Sequence, residues 1–248
     1  MKLQCYKADL HIHTVLSPCG DLEMSPINIV LKAKECGLDI IAIADHNTTR
    51  QVALTQELGR QYGLMVLAAT EITTKEEAHV LAYFENDRQM AEFQQFLDAH
   101  LPKIANDEDC FGYQLIVNAD EEIVGEEPYL LINALDVDLD ELYDVVHGLG
   151  GLFVPAHVNK PSTSLMSQLG FVPPDLRADA LELSRHITKE AFLKKNAYLK
   201  RFAFFKSSDA HQIDAVGETY SELYMYGLSF AEFAKTLRGE DGRYIAGV

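Results

Sequence analysis

Two short segments, far apart in the chain, each place two metal-binding side chains two residues apart. His11 and His13 lie in the first segment, and Asp209 and His211 lie in the second. Residues two apart project from the same face of a β-strand, whereas the same step on a helix turns them away from each other. Both segments therefore predict strand ends that present imidazole and carboxylate groups to one polar pocket.

Further histidines and acidic residues follow, or begin, other apolar segments of the chain. They are Asp45, His46, Glu71, His79 and His157. The carboxyl ends of strands in α/β folds meet at one rim, where active sites are normally built. Imidazoles and carboxylates gathered there need a compensating partner, which divalent metal ions supply. Any one of these residues alone would indicate only a structural hydrogen bond, but together they predict a metal centre.

The remaining three histidines have a different sequence context. His100 and His147 lie within predicted helices, so we expect them to be solvated. His186 follows a predicted strand end, where contact with a substrate and a simple loop hydrogen bond are equally compatible with the sequence.

Apolar, β-branched segments predict seven strands, separated by segments with helical periodicity. The predicted strands cover 5–13, 39–44, 65–69, 79–84, 152–157, 180–183 and 202–207. The predicted helices cover 26–36, after Ser25 as N-cap, 48–62, 87–105, 140–149, 188–201 and 229–239. This alternation predicts an α/β fold with a parallel sheet that closes as a distorted (β/α)7 barrel resembling a TIM barrel. We expect one domain over 1–248, with a mostly helical insertion at 86–148.

The composition narrows the class of protein. The chain of 248 residues is 48% hydrophobic and carries 21 basic against 38 acidic side chains, a net charge of −17. This acidity argues against a broad surface for long nucleic acid, although a small or terminal phosphate substrate stays open. The four cysteines form no Cys-x-x-Cys pair, and no leader or membrane segment is evident. We therefore expect reduced thiols, a cytoplasmic protein and no membrane partner.

The motifs at 9–14, 44–47, 70–72, 79–84, 155–157 and 208–211 together resemble the polymerase and histidinol phosphatase (PHP) family of metal-dependent phosphoesterases. They span the chain outside the insertion and follow the family's order. The resemblance implies a distorted barrel that holds two or three divalent ions, such as zinc, manganese or iron.

The resemblance also implies a ligand set for each ion. These ligands are His11, His13, Glu71 and Asp209 for the first ion, Glu71, His79 and His157 for the second, and His46 and His211 for the third. Relatives supply one more ligand to the third ion from the loop after the first strand, where this chain offers Cys19 or Asp21. We expect Asp9 and Asp45 to accept the free N–H groups of ligating imidazoles.

The implied mechanism is hydrolysis by a metal-bound hydroxide, since two ions acidify a shared water from a pKa of ~15.7 towards ~7. Glu71, His46 and Asp209 are the expected catalytic residues. Arg50, Lys160, Arg185 and His186 are candidates for binding the substrate phosphate, with solvated loop charges as the alternative.

Three functions are compatible with this chemistry. The first is hydrolysis of a small phosphomonoester, such as histidinol phosphate or a nucleotide. The second is a nuclease that removes nucleotides from the 5′ end of a short oligonucleotide. The third is a non-catalytic metal-binding module, which the nearly complete ligand set disfavours. Sequence leaves substrate, metal and oligomeric state open.

Overall fold

The computed structural model describes residues 2–248 and has an α/β fold. Its strands are β1 (Gln4–Ile12), β2 (Ile40–Ile43), β3 (Met65–Thr73), β4 (His79–Phe84), β5 (Leu115–Val117), β6 (Ile123–Glu126), β7 (Leu152–Pro155), β8 (Leu181–Leu183), β9 (Phe204–Lys206), β10 (Ser221–Met225) and β11 (Tyr244–Ala246). Its α-helices are α1 (Pro26–Glu35), α2 (Val52–Tyr62), α3 (Asp87–His100), α4 (Glu108–Phe111), α5 (Leu139–Gly148), α6 (Leu165–Leu169), α7 (Lys189–Lys195) and α8 (Phe230–Arg238). Within residues 2–248, no helix combines the length and apolar character needed to cross a membrane.

The main sheet has seven strands in the order β11-β10-β1-β2-β3-β4-β7 and curls as a half-barrel. Strands β1, β2 and β3 are parallel, but β4 is antiparallel to both β3 and β7. The sheet is therefore mixed, and the expectation of a parallel sheet was wrong at β4. Only residues 74–78 separate β3 from β4, too few for the crossover that a parallel pair needs.

The reversal of β4 matters for the site because it brings the start of this strand to the end of β3. His79 is paired with Thr73 in the ladder between the two strands. The first residue of β4 therefore lies at the same rim as the last residues of β1, β2 and β3.

Strands β8 and β9 form a separate parallel pair, which hydrogen bonds connect to β7 at one end of the curled sheet and to the segment that follows β1. On one side, the N–H of Val158 donates to the carbonyl of Glu182, and that of Asp179 donates to Phe153. On the other side, the N–H of His13, just after β1, donates to the carbonyl of Ala210.

The segment predicted as a helical insertion contains α3, α4, a β5–β6 hairpin and α5. The hairpin was not predicted. Helix α3 begins with a reciprocal capping box between Asn86 and Gln89. It ends at His100, earlier than predicted, because Leu101 precedes Pro102 and adopts an extended conformation.

The core divides into three clusters around the strands. One cluster packs the sheet on α1, α2, α3 and α5, while a second joins Ala8, Leu10 and Ala42 of the sheet to Phe205 and to α8. A third cluster lies between β8, β9 and the helices that flank them. The rim of polar groups is thus held by strands that are buried on both faces.

The loop after β9 is tied to β1 by a buried carboxylate. Asp9 is completely buried, and its two oxygens accept hydrogen bonds from the N–H groups of Ser208 and Gly217, at 3.0 and 2.9 Å. Burial raises the pKa of Asp9 to about 6, against the effect of these donors. Asp9 therefore fixes the loop that carries Asp209 and His211.

We expect Asp9→Asn to lower the free energy of unfolding by about 2 kcal/mol, because its amide nitrogen would face one of the two buried N–H donors. Urea denaturation followed by circular dichroism measures this change. Asp39→Asn is the matched control, since Asp39 accepts a single backbone N–H, from Lys7, and the variant retains an oxygen for it. Equal effects of the two substitutions would contradict the assigned role of Asp9.

Candidate metal centre

Backbone hydrogen bonds draw the ends of three parallel strands together. The N–H of Ala44 donates to the carbonyl of Ile12, and the N–H of Glu71 donates to that of Asp45. Isolated bridges pair Ile12 with Ala210 and His46 with Glu71. As a result, side chains separated by up to 200 residues in the sequence meet within one rim.

Four of the candidate ligands surround a single point. The Nε2 atoms of His11 and His13 are 3.1 Å apart, and each lies 3.3 Å from Oε2 of Glu71. Oδ1 of Asp209 lies 3.5 Å from the first nitrogen and 3.4 Å from the second. Ligand atoms on a tetrahedral ion, at ~2.0–2.1 Å from each nitrogen, are separated by similar distances of about 3.3 Å. The four side chains therefore fit a single divalent cation.

The Nδ1 atoms of His11 and His13 already make hydrogen bonds within the protein. Nδ1 of His11 lies 3.1 and 3.2 Å from the two oxygens of Glu182, so it donates there. Nδ1 of His13 lies 3.0 Å from Oγ of Ser17, which donates its own hydrogen to Asp45 and therefore accepts from the imidazole. In their neutral forms, both imidazoles then direct Nε2 lone pairs at the two carboxylates. Such a set of acceptors requires a cation.

The second oxygen of Glu71 faces a different pair of imidazoles. Oε1 lies 2.8 Å from Nδ1 of His79 and 3.0 Å from Nε2 of His157. Nδ1 of His157 is buried without a hydrogen-bond partner. The two oxygens of Glu71 thus point into two adjacent groups of ligands, as a bridging carboxylate would.

A third group consists of His13, His46 and His211, whose nitrogens lie within 4.8 Å of one another. Burial and the nearby His13 lower the pKa of His211 to about 4 and hold that of His46 well below its usual value. Both imidazoles are therefore neutral at pH 7, with lone pairs free for a cation.

Within residues 2–248, three groups of side chains could hold an ion: His11, His13, Glu71 and Asp209; His46, Glu71 and His79; and His13, His46 and His211. Neither Cys19 nor Asp21 belongs to these groups, although both line the adjacent cavity. Cys19 is exposed, but desolvation by the surrounding protein and the charge of Glu71 raise the pKa of its thiol to about 12, so it is protonated in the absence of a cation. The carboxylate of Asp21 accepts a hydrogen bond from the N–H of Glu23 in its own turn.

The electrostatics of the first group show how strongly it requires positive charge. Burial opposes ionisation of Glu71, yet His79 and His11 hold its pKa well below the usual value. Burial would lower the pKa of His11, but Glu71, Glu182 and Asp209 raise it well above normal. Without a metal, protons on the imidazoles must supply the charge that a divalent ion would provide.

Several residues at the rim hold a backbone conformation that non-glycine residues rarely adopt. The φ angles of Asn47, His157 and Asp209 are +48°, +27° and +53°. Strain of this kind is concentrated at functional sites, where the surrounding structure enforces it. The side chain of Asn47 shows how, since it donates to the carbonyls of Leu131 and Asn133.

A cavity of about 470 Å³ opens beside the ligand groups. Lys160, Arg185 and His186 line it, as predicted for residues that would meet a substrate. Lys160 forms an ion pair with Oδ2 of Asp209, and Arg185 pairs with Glu218 at 3.3 Å. The structure brings these cations to the candidate site.

Arg50 is placed elsewhere. Its guanidinium pairs with Asp98 and Glu127, both at 2.9 Å, and it does not line this cavity. The expectation that Arg50 binds the substrate phosphate therefore has no support in its position. Its charge instead connects α3 to the loop that follows β6.

The partners of the ligating imidazoles were assigned to the wrong carboxylates. Asp9 binds backbone N–H groups, and Asp45 acts on His13 only through Ser17. Glu182, which the sequence analysis did not single out, binds His11 directly and also accepts the N–H of His157 at 2.8 Å. An acidic residue in the middle of the apolar segment 180–183 was the signal that could have identified it.

The histidines expected to be solvated are both partly buried and paired with carboxylates. His100 lies 2.7 Å from Asp136, and His147 lies 2.9 Å from Asp179. Neither belongs to a ligand group, so their separation from the candidate site agrees with the sequence.

Comparison with known proteins places this geometry in context. No family model matches the chain. Uncharacterized protein YqxK of Bacillus subtilis is 26% identical over 96% of this chain and 63% of its own length. Uncharacterized protein MJ1587 of Methanocaldococcus jannaschii is 38% identical over 33% of this chain and 52% of its own length. The chain thus spans less than two thirds of the curated relatives that it matches.

Solved structures match nearly the whole chain. The lesion-specific endonuclease Q of Pyrococcus furiosus superposes with a TM-score of 0.71 at 20% identity, covering 98% of this chain and 58% of that one. Endonuclease Q in complex with a 27-mer duplex carrying an abasic lesion gives 0.66 at 19% identity, covering 97% and 58%. A two-domain Bacteroides vulgatus protein, predicted to contain a PHP-like metal-dependent phosphoesterase, gives 0.60 at 16% identity, covering 98% and 65%.

Likenesses at these identities establish the fold, and they agree with the motifs at the rim. The chain has the fold of the PHP-like metal-dependent phosphoesterases.

Proposed function

We propose that this chain hydrolyses phosphate esters at a centre that holds two divalent ions side by side, with room for a third. The observation that carries the proposal is the orientation of Glu71, whose two oxygens face separate groups of imidazoles. His11, His13, Glu71 and Asp209 would hold the first ion, and Glu71, His79 and His157 the second. His46 and His211 would hold a third ion, with Cys19 or Asp21 as the remaining ligand.

The bound ions would lower the pKa of a water molecule and neutralise charge on the phosphate. The residues of the chain orient and complete this site. Glu182 and Ser17 hold the imidazoles of His11 and His13 in fixed orientations through their Nδ1 atoms. Lys160 and Arg185, on the wall of the cavity, would neutralise the phosphate oxygens that face away from the ions.

Two classes of substrate are compatible with this site. A small phosphomonoester fits the cavity of about 470 Å³ and its two cations. A nucleic-acid strand is the second candidate, favoured by the similarity to endonuclease Q, whose complex contains duplex DNA. Phosphate release from a panel of monoesters, compared with cleavage of short labelled oligonucleotides, separates the two classes.

We further propose that β8 and β9 close the curled sheet into one distorted barrel of seven strands, with the segment 86–148 as an insertion. The hydrogen bonds from Val158 to Glu182 and from His13 to Ala210 support this closure. Closure would explain how Asp209, at the end of the barrel, reaches His11 on β1.

We expect Glu71→Gln to lower the turnover of p-nitrophenyl phosphate by about a thousandfold, or about 4 kcal/mol in the transition state. The amide would remove one ligand oxygen from the two groups that share this carboxylate. Initial rates, with elemental analysis of protein purified without chelators, measure the effect. Glu92→Gln, on the exposed side of α3, is the charge-matched control.

Near-normal turnover of Glu71→Gln at full metal content would overturn the bridging role. Wild-type protein that retains metal but hydrolyses neither monoesters nor oligonucleotides would instead indicate a non-catalytic metal-binding module.

We expect Glu182→Gln to weaken binding of Zn²⁺ and Mn²⁺ by about 10–100-fold. The amide lacks the negative charge of Glu182, and its NH2 group would replace one of the two oxygens that face Nδ1–H of His11, so the first imidazole would lose its fixed orientation. Competition titration against a chelating dye measures the change. Glu57→Gln, exposed on α2, should bind metal as wild type does, and an equally unaffected Glu182→Gln would contradict the proposed role.

A further inference from the structure

The charges of this acidic chain are distributed very unevenly. Residues 185–201 contain six of the 21 basic residues of the chain but only one of its 38 acidic residues, Glu190. We call these six residues the basic strip, and they are Arg185, Lys189, Lys194, Lys195, Lys200 and Arg201. The net charge of −17 conceals this local reversal of sign.

The charges of the basic strip are available to a ligand. Five of the six side chains are exposed and Lys189 is half-buried. Arg185 alone among them pairs with a carboxylate within residues 2–248. Arg201 also donates to the carbonyl of Leu176 and lies over the ring of Phe202, and Lys189 lies over the ring of Phe204. Three exposed lysines remain without an ion-pair or aromatic partner within residues 2–248, namely Lys194, Lys195 and Lys200, and they offer positive charge to an anionic partner.

The fold explains why these side chains face outwards. Phe192 is buried in the third core cluster and packs edge-on against Phe204, with ring centroids 5.9 Å apart. Helix α7 therefore turns its apolar side towards β9 and leaves Lys194 and Lys195, in its last turn, in solvent.

The basic strip begins at the candidate site. Arg185 and His186 line the cavity beside the ligand groups, and α7 starts three residues later at Lys189. A polyanion that entered the cavity would therefore continue along α7 and the turn after it. A small phosphomonoester would reach only the first of these cations.

Two exposed aromatic rings lie beside the basic strip. Tyr198, in the turn after α7, is 44% exposed and donates its hydroxyl to the carbonyl of Val172. Phe171, which precedes Val172 in the chain, is 52% exposed. Exposed aromatic rings next to a basic surface are the means by which proteins stack unpaired bases. This pairing favours a nucleic acid over a membrane or an acidic peptide.

We propose that the basic strip binds a nucleic-acid strand whose phosphates extend from the cavity along α7. This inference rests on the proposed phosphate-ester hydrolysis for its biological meaning, and it selects nucleic acid as the class of substrate. Binding along the strip nevertheless depends on cations distant from the metal ligands, so it is measured independently of hydrolysis.

The test is binding of a fluorescein-labelled single-stranded DNA of about 20 nucleotides, longer than the 4–16 that comparable grooves cover. Fluorescence anisotropy is recorded across a range of salt concentrations with the metal-loaded full chain, and the strand is checked on a denaturing gel. The strip variant combines Lys194→Gln, Lys195→Gln and Lys200→Gln. The control variant combines Lys2→Gln, Lys34→Gln and Arg60→Gln, three exposed positions elsewhere that change the net charge equally.

We expect the strip variant to bind at least about tenfold more weakly and to reduce the slope of log affinity against log salt by about 2, since each phosphate contact contributes about 0.7. The control variant should bind within about twofold of wild type. Equal losses in both variants, no binding by wild type, or a preference for anionic lipid vesicles over the strand would overturn the proposal. If metal-loaded wild type binds the strand as expected but hydrolyses neither the strand nor phosphomonoesters, the proposed metal chemistry is refuted and the binding proposal stands.

Discussion

The structure depends on placing one buried carboxylate, Glu71, among imidazoles that are themselves largely buried. Glu71 is 1% exposed and lies within 3.3 Å of nitrogens from His11, His13, His46, His79 and His157, which belong to four different strands or the loops after them. Burying such a charge without compensation is very costly, so the groups around it must supply positive charge. The surrounding strands are fixed in register largely by this requirement, because a displaced strand would leave an imidazole or the carboxylate unpaired.

The compensation depends in turn on a layer of residues behind the ligands. Oγ of Ser17 accepts a hydrogen bond from Nδ1 of His13 and donates one to Asp45. The carboxylate of Glu182 accepts hydrogen bonds from Nδ1 of His11 and from the N–H of His157. These contacts connect β8 and β2 to the ligands on β1. Imidazole orientation is therefore determined by the whole rim of the sheet and not by the local sequence around each histidine.

This dependence explains what the sequence could and could not predict. The two-residue spacing of His11 and His13 sufficed to predict that both side chains lie on one face of a strand, because side chains alternate between the two faces from one residue to the next. The partner of His11 could not be predicted, because Glu182 is 171 residues away and only tertiary packing brings them together. The reversal of β4 was missed for a different reason: residues 70–78, between the predicted strands 65–69 and 79–84, are too few for a parallel crossover, and this signal was not used. The separation of the candidate metal ligands from His100 and His147 was predictable because those two lie on predicted helices.

The net negative charge of the chain argues against a broad surface for long nucleic acid, but it does not describe the local charge at residues 185–201. Net charge governs the field far from a protein, but at physiological salt this field decays within about 8 Å. A phosphate beside α7 therefore responds mainly to charges close to it, and residues 185–201 carry six cations and one carboxylate. An acidic protein can accordingly repel nucleic acid over most of its surface and still accept one strand along a single path. Such an arrangement would favour a strand that enters the cavity over one that crosses the surface at random, because only the first orientation avoids the negative field.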